Sequence, residues 1–278
     1  MPHQRIGIAD IHYYDDDFAD PWQPHDVVMM QHGFGRSGRM FYAWVPHLAR
    51  DFRVLRKDLR GLARSGDLPA DYRFTLDDLI GDFTGLMDAL GIARVHYVGE
   101  SLGGLLGMIF AARHPERVKS LTLMAAISRL NPGTTGTALA LGHKDWAEAI
   151  EVHGMREWWL KGRAATGELC GDAAKDGWFA DESAVTRAHN AQALSRSVPA
   201  LSAVPLLERI TAPTLVLTPG LSRNTSADEQ RMIATTIPNG RQIVYADGKH
   251  MDCYLKPDRL APDVLAFLRE VCARDPRP

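Results

Sequence analysis

Gly99-Glu100-Ser101-Leu102-Gly103 follows the apolar run Val95-His96-Tyr97-Val98 and leads into a helical pattern. A serine between two glycines at a strand-to-helix turn has the setting of a catalytic nucleophile. The glycines remove side chains where strand end and helix start would collide. The tight turn holds residue 101 in a strained backbone, with its side chain up at the sheet edge. The Leu102 N–H, first of the new helix, then points where an oxyanion could form. With 11 serines and 24 glycines in 278 residues, composition alone gives ~0.08 such matches, so the flanking strand and helix carry much of the signal.

A second glycine motif, His32-Gly33-Phe34-Gly35, ends the apolar run Val27–Gln31. Glycines after a strand let the backbone approach a ligand closely and present an unpaired N–H. The Phe34 N–H is the candidate second oxyanion donor, and such donors are worth ~3 kcal/mol each to a transition state. His32 reads as an organiser of that loop. The base is expected in a late loop, where Asp247-Gly248-Lys249-His250-Met251-Asp252 lies between the last strand and the last helix. A neutral His250 imidazole beside Ser101 would take its proton and return it to the leaving group. His96 sits inside a strand, while His143, His153 and His189 belong to a helical stretch far from the glycine motifs.

These residues need a sheet whose strand ends converge. Short apolar runs alternate with helical patterns, which predicts an α/β fold with a mostly parallel, doubly wound sheet. The predicted strands are Ile6–Tyr13, Val27–Gln31, Phe52–Arg56, Val95–Gly99, Leu121–Ala126, Thr214–Thr218 and Gln242–Ala246. Helical spacing runs over Thr75–Leu90, Leu102–Arg113 and Asp258–Val271. The rhythm breaks between 127 and 205. That stretch opens on the turn-rich Asn131-Pro132-Gly133-Thr134-Thr135-Gly136 and continues as helical pieces carrying Trp146, Trp158, Trp159 and Trp178. It reads as a helical cap (127–205) inserted in a core formed by 1–126 and 206–278. Its tryptophans should pack mostly against that core, with a substrate pocket in the cleft between.

Composition narrows the partners. A formal charge of −2 gives no electrostatic case for nucleic acid or an anionic membrane. No segment reaches the ~18 apolar residues of a membrane span, and the start has no apolar signal-like run. Cys170, Cys253 and Cys272 are widely separated, without metal-ligand or disulfide spacing. A cytoplasmic protein acting on a small-molecule substrate is expected, with no cofactor and no metal; the oligomeric state stays open.

The chain resembles the α/β-hydrolases, in the capped branch that includes 3-oxoadipate enol-lactonases, esterases and C–C hydrolases. Nearly the whole chain carries the resemblance, through His32–Gly35, Asp58-Leu59-Arg60-Gly61 with Ser65, Gly99–Gly103, His114-Pro115-Glu116-Arg117-Val118, Pro213–Leu217 and His250. It implies Ser101 as nucleophile, His250 as base, and Phe34 and Leu102 N–H as the oxyanion hole. Asp58 and Arg60 would be structural. The departure concerns the acid that orients the histidine. The family's Gly-x-x-Asp setting reads Gly220-Leu221-Ser222-Arg223 here, so Arg223 stands where the aspartate belongs. Met124–Ser128, the other strand end used by relatives, has no acid either. An uncharged Asn224 or Ser222, a carboxylate from Asp228, Asp247 or Asp252, or no orienter at all are the alternatives. Arg223 could depress the His250 pKa, bind a substrate carboxylate together with Arg129, or simply face solvent. Glu100 is expected to turn into the sheet as a structural residue.

The leading expectation is a serine hydrolase of a small ester or lactone, working through an acyl-enzyme. C–C bond hydrolysis, a cofactor-free lyase or oxygenase reaction, and non-catalytic ligand binding are the alternatives on the same fold.

Overall fold

Eight strands form one sheet: β1 (His3–Ile6), β2 (Ala9–Asp16), β3 (Val27–Gln31), β4 (Arg53–Lys57), β5 (Val95–Glu100), β6 (Val118–Met124), β7 (Thr214–Pro219) and β8 (Gly240–Tyr245). Their spatial order is β1-β2-β4-β3-β5-β6-β7-β8. The first two strands pair antiparallel, β2 runs antiparallel to β4, and every later pairing is parallel. The computed structural model describes residues 2–130 and 137–275, so the predicted turn Asn131–Gly136 lies outside the described residues.

The predicted strand Ile6–Tyr13 is in fact a hairpin. Gly7 turns the chain with φ +58°, and Ile6 pairs with Ala9 across the bend. Apolar residues on both sides of the turn hide it from a periodicity reading, whereas the glycine makes the positive φ accessible. The parallel strands fall within a few residues of their predicted bounds, and β3 coincides with its prediction.

The helices that cover the sheet include α1 (Val45–Leu48), α2 (Leu76–Ala89) and α3 (Leu102–Arg113). A capping box starts α2: the Thr75 side chain accepts from Asp78 N–H, and the Asp78 carboxylate accepts from Thr75 N–H. Eleven of the twelve residues of α3 are buried, which suits an element packed on all sides rather than amphipathic. Tyr97 on β5 anchors it, donating its hydroxyl to Gly103 O at 2.8 Å and packing its ring on Phe83 and Phe110.

Between β6 and β7 the described residues contain four helices, α4 (Thr137–Ala140), α5 (Trp146–Thr166), α6 (Ala173–Ala184) and α7 (Ala188–Ser197). Their seat on the rest of the molecule is aromatic. Trp146 and Trp158 lie 5.2 and 5.5 Å from the Phe34 ring, and Trp158 Nε1 donates to Leu139 O. The chain closes with α8 (Ala227–Thr236), α9 (Asp252–Leu255) and α10 (Pro257–Arg274).

A close backbone approach explains one glycine of the serine motif. A Cβ on Gly103 would sit 2.3 Å from Gln31 O and 2.8 Å from His32 O, so α3 rests directly on the end of β3. We expect Gly103→Ala to lower stability by about 1–3 kcal/mol or more, because both partners are backbone and cannot rotate away. Gly81→Ala, within α2 where an added Cβ meets nothing within 4 Å, should be neutral or stabilising by up to about 1 kcal/mol. Urea unfolding of the two variants followed by circular dichroism checks the contrast.

Candidate active site

Ser101 sits between β5 and α3 with φ 52° and ψ −116°. A non-glycine residue holds that conformation only when its surroundings over-determine it. Here they do. Its N–H donates to Met124 O at 3.1 Å, and its carbonyl accepts from Gly104 and Leu105 N–H at 3.0 and 3.1 Å. Gly99 completes the bend, since a Cβ there would meet Gly103 O at 2.5 Å. The backbone is clamped while the hydroxyl makes no hydrogen bond among the described residues.

Phe34 and Leu102, the two candidate oxyanion donors, line the same cavity as Ser101. Leu102 is the first residue of α3, so its N–H has no acceptor within the helix. The Phe34 N–H likewise has no acceptor among the described residues, whereas the neighbouring Gly33 N–H donates to Glu100 Oε2 at 2.9 Å. His32 holds this loop. Its Nδ1 donates to Gly33 O at 2.7 Å and its Nε2 accepts from Leu59 N–H at 3.0 Å, a neutral ring with both nitrogens used. Burial pushes its pKa down, in keeping with that state. Asp58, also buried, accepts from His12, Gly38 N–H and Arg64 N–H, and Arg60 pairs with Asp82 at 2.6 Å; neither reaches the cavity.

Ser101, Leu102, Phe34 and His250 line one cavity of about 30 Å³, together with Arg36, Trp146, Arg163 and Asn224. That volume holds a water or two.

One of the candidate orienters, Ser222, lies beside His250. The His250 Nδ1 lies 3.4 Å from Ser222 Oγ. The Ser222 oxygen also accepts the N–H groups of Asn224 and Thr225 at 3.2 and 3.1 Å, so its own hydrogen is the one available to Nδ1. The network therefore assigns the ring proton to Nε2, which lies 3.1 Å from Glu100 Oε1 without the alignment of a hydrogen bond. The three candidate aspartates lie elsewhere. Asp228 pairs with Arg231, Asp247 with Arg259, and Asp252 with Lys249 N–H and Lys256. Arg223 and Arg129 are exposed and do not line the cavity.

Glu100 is buried and hydrogen-bonded, and it lies beside His250. It is fully buried under the site: Oε2 accepts from Gly33 N–H and the Tyr254 hydroxyl, and Oε1 lies 3.4 Å from Arg36 Nη2 as well as 3.1 Å from His250. Burial alone would raise its pKa, but the Arg36 guanidinium, His250 and Tyr254 outweigh it and hold the carboxyl at about 2. His250 is pushed below its usual pKa by burial, against the pull of Glu100 and with the help of the Arg36 and Arg163 charges. At neutral pH the pair is thus a carboxylate against a neutral imidazole.

Among the described residues, one group has the makings of a metal site: Asp26, His96 and Cys272, whose ligand atoms lie within 4.8 Å of one another. It stands at the far end of β5 from Ser101, and Lys119 Nζ already lies 3.0 Å from Asp26 Oδ2. No described helix is long and apolar enough to cross a membrane.

Known proteins agree with this architecture. The chain is 28% identical over 255 residues to the "Putative carbamate hydrolase RutD" of Pseudomonas savastanoi pv. phaseolicola, covering 87% of this chain and 93% of that one. It superposes on a hydrolase from Pseudomonas aeruginosa with TM-score 0.78 and 27% identity, covering 96% and 97% of the two chains. The enol-lactonase from Burkholderia xenovorans shares the fold, with TM-score 0.78, 23% identity and coverage of 96% and 100%. Residues 26–257 match the family model of the alpha/beta hydrolase fold, and the chain belongs to that family.

Proposed function

We propose that the protein is a serine hydrolase of small carboxylic esters or lactones, with helices α4–α7 acting as a cap over the site. The observation that carries this reading is Ser101 itself: a hydroxyl without a hydrogen-bonding partner among the described residues, on a clamped positive-φ turn, beside two N–H groups that have no acceptor among them. Substrate carbonyl oxygen would lie between the Phe34 and Leu102 amides, each worth about 3 kcal/mol to the developing oxyanion. Ser101 Oγ attacks and passes its proton to His250; the imidazolium then protonates the leaving alcohol. Water, deprotonated by the same ring, attacks the acyl-enzyme and releases the acid.

In the resting arrangement His250 Nε2 carries the ring proton beside Glu100, so action as a base requires the other tautomer, with the proton on Nδ1 against Ser222 Oγ and the Nε2 lone pair turned to Ser101 Oγ within the cavity they share. Catalytic hydrogen bonds often tighten only when substrate binds. Glu100 stays close enough to stabilise the imidazolium, and we assign it the electrostatic role of the absent aspartate. Ser222 holds the opposite nitrogen. Carbamates, the class in the name of the Pseudomonas savastanoi relative, present the same carbonyl for attack.

A fluorophosphonate probe tests the reading. It should add to the wild-type protein at Ser101, seen as a mass increase on the peptide carrying that residue; an unlabelled Ser101 in folded protein would refute it. The pH dependence follows from the base. His250 must be neutral to accept a proton, and its pKa is lowered, so kcat/KM should stay near its plateau as pH falls through 6.5 and drop only below that. Rates of ester hydrolysis from pH 5 to 8 check the position of that limb.

A further inference from the structure

Two arginines stand in the wall of the Ser101 cavity, and they are not equivalent. Arg36 donates to Phe34 O at 3.0 Å and lies 3.4 Å from Glu100, so its charge has a buried counter-ion. Arg163, on α5, is only 4% exposed, yet its Nε and Nη1 are buried without an acceptor among the described residues. Among the described residues no carboxylate forms an ion pair with it. Its guanidinium lies 5.9 Å from the Trp159 ring. Glu168 pulls on it electrostatically without a hydrogen bond or ion pair to it, and its Oε2 accepts from Met251 N–H. Burial, and then the neighbouring Arg36 charge, bring the Arg163 pKa down to about 9.

Burying a cation without an acceptor is costly, and the cost is recovered when a ligand supplies one. A guanidinium matches a carboxylate closely in charge and hydrogen-bonding geometry. Beside the polar Ser101, Asn224, His250 and Arg36, the cavity wall has an aliphatic part from Ile127, Leu130, Leu139 and Val198. One unmet positive charge beside aliphatic side chains suits a monoanionic group on a short carbon chain.

We infer that Arg163 receives a carboxylate carried by the substrate, so that the substrate class is a half-ester or a carboxylated lactone. This rests on the hydrolase reading for the bond cleaved: water adds across the acyl–oxygen bond, giving a dicarboxylic acid and an alcohol, or a hydroxy-dicarboxylic acid from a lactone. The recognition of the carboxylate itself does not require turnover.

Matched substrates test it. Monomethyl succinate, glutarate and adipate differ from methyl butyrate, valerate and hexanoate only by a carboxylate in place of a terminal methyl. Wild-type protein should favour at least one half-ester over its neutral counterpart by about 100-fold in kcat/KM, and Arg163→Met should reduce that ratio to within a few-fold of one. Binding is read separately in Ser101→Ala protein, where glutarate should raise the thermal unfolding midpoint and glutaramide should not. Arg163→Met should by itself raise the midpoint, since it removes an unmet charge, whereas loss of a merely structural arginine would lower it. Should Arg163→Met fail to fold, that result counts against the inference, and the wild-type ratio and the glutarate shift still decide it. Carboxylate binding with no turnover of any ester would uphold Arg163 and overturn the hydrolase reading. Turnover with no half-ester preference and no glutarate shift would overturn the Arg163 assignment alone.

Discussion

Ser101→Ala is expected to lower ester turnover by about 10⁴–10⁶-fold while leaving the protein as stable as the wild type. The two halves of this expectation have different origins. Turnover falls because no other nucleophile in the cavity is placed to attack a carbonyl held by the Phe34 and Leu102 amides; what remains is the contribution of those donors and of binding. Stability is unchanged because the hydroxyl makes no hydrogen bond among the described residues, so its removal leaves no donor or acceptor unmet. Ser101→Gly sharpens the comparison. The φ of 52° is disfavoured for any residue with a Cβ and open to glycine, so this variant should be equally inactive yet more stable by about 1–3 kcal/mol. Kinetics on a methyl ester beside urea unfolding curves would show both effects. A Ser101→Ala protein that keeps a tenth of wild-type turnover would rule out the acyl-enzyme. Retained strain at the reacting residue is the stability–activity trade-off that such a turn implies.

How much of this could be read from the chain depends on the range over which each feature is specified. Local patterns serve well. The glycine spacing around Ser101 follows from contacts between segments that meet right at the turn, Gly99 on Gly103 and Gly103 on the end of β3, so the motif carries its own geometry. The run Leu102–Arg113 is bounded by that turn and by His114-Pro115, and the helix has those limits. Polar elements are harder. The helix Ala227–Thr236 buries only Gln230, Ile233 and Ala234, too thin an apolar stripe to stand out from a loop. The four-residue helices at Val45–Leu48 and Asp252–Leu255 are shorter than any periodicity can register.

The site divides in the same way. Ser101, Leu102, Phe34 and His250 come from local motifs and share one cavity. Glu100, Arg36 and Arg163 were not singled out for it, because their significance lies in pairings across long stretches of chain. Glu100 meets His250 from 150 positions away, and nothing around either residue encodes the other. One signal was available: an acid at the end of a buried strand, next to the proposed nucleophile, must find a cation or a donor there or stay neutral. Arg163 also left a trace. It shares a helical face with Trp159 and Thr166, both buried, where a charged side chain must have a reason to be. Whether that reason is a partner or a ligand only the three-dimensional surroundings reveal.

Glu100→Gln should damage both activity and stability, and the two losses carry different pH signatures. The carboxylate is held at about 2 in the folded protein against an ordinary value of 4.5, by Arg36, His250 and Tyr254 against the effect of burial. A depressed carboxyl contributes stability that is present in full above its unfolded value and fades as pH falls from 4.5 toward 2. The amide keeps the shape but leaves Arg36 buried without a counter-ion, which should cost about 3 kcal/mol at pH 7. Wild-type stability should therefore decline on acidification through that window, while the variant, already lacking the contribution, declines less. Activity tells the positioning role apart from a structural one. Glu100 raises the His250 pKa, so its neutralisation lets the burial and the Arg36 and Arg163 charges drive the imidazole lower still. The acid limb of kcat/KM should move to lower pH even as the plateau falls by about 10²-fold or more, because the imidazolium formed during attack has lost its stabilising charge. A purely structural residue would lower the amount of active enzyme without moving the limb. An unmoved limb at full plateau would return the histidine to a dyad with Ser101, steadied by Ser222 alone.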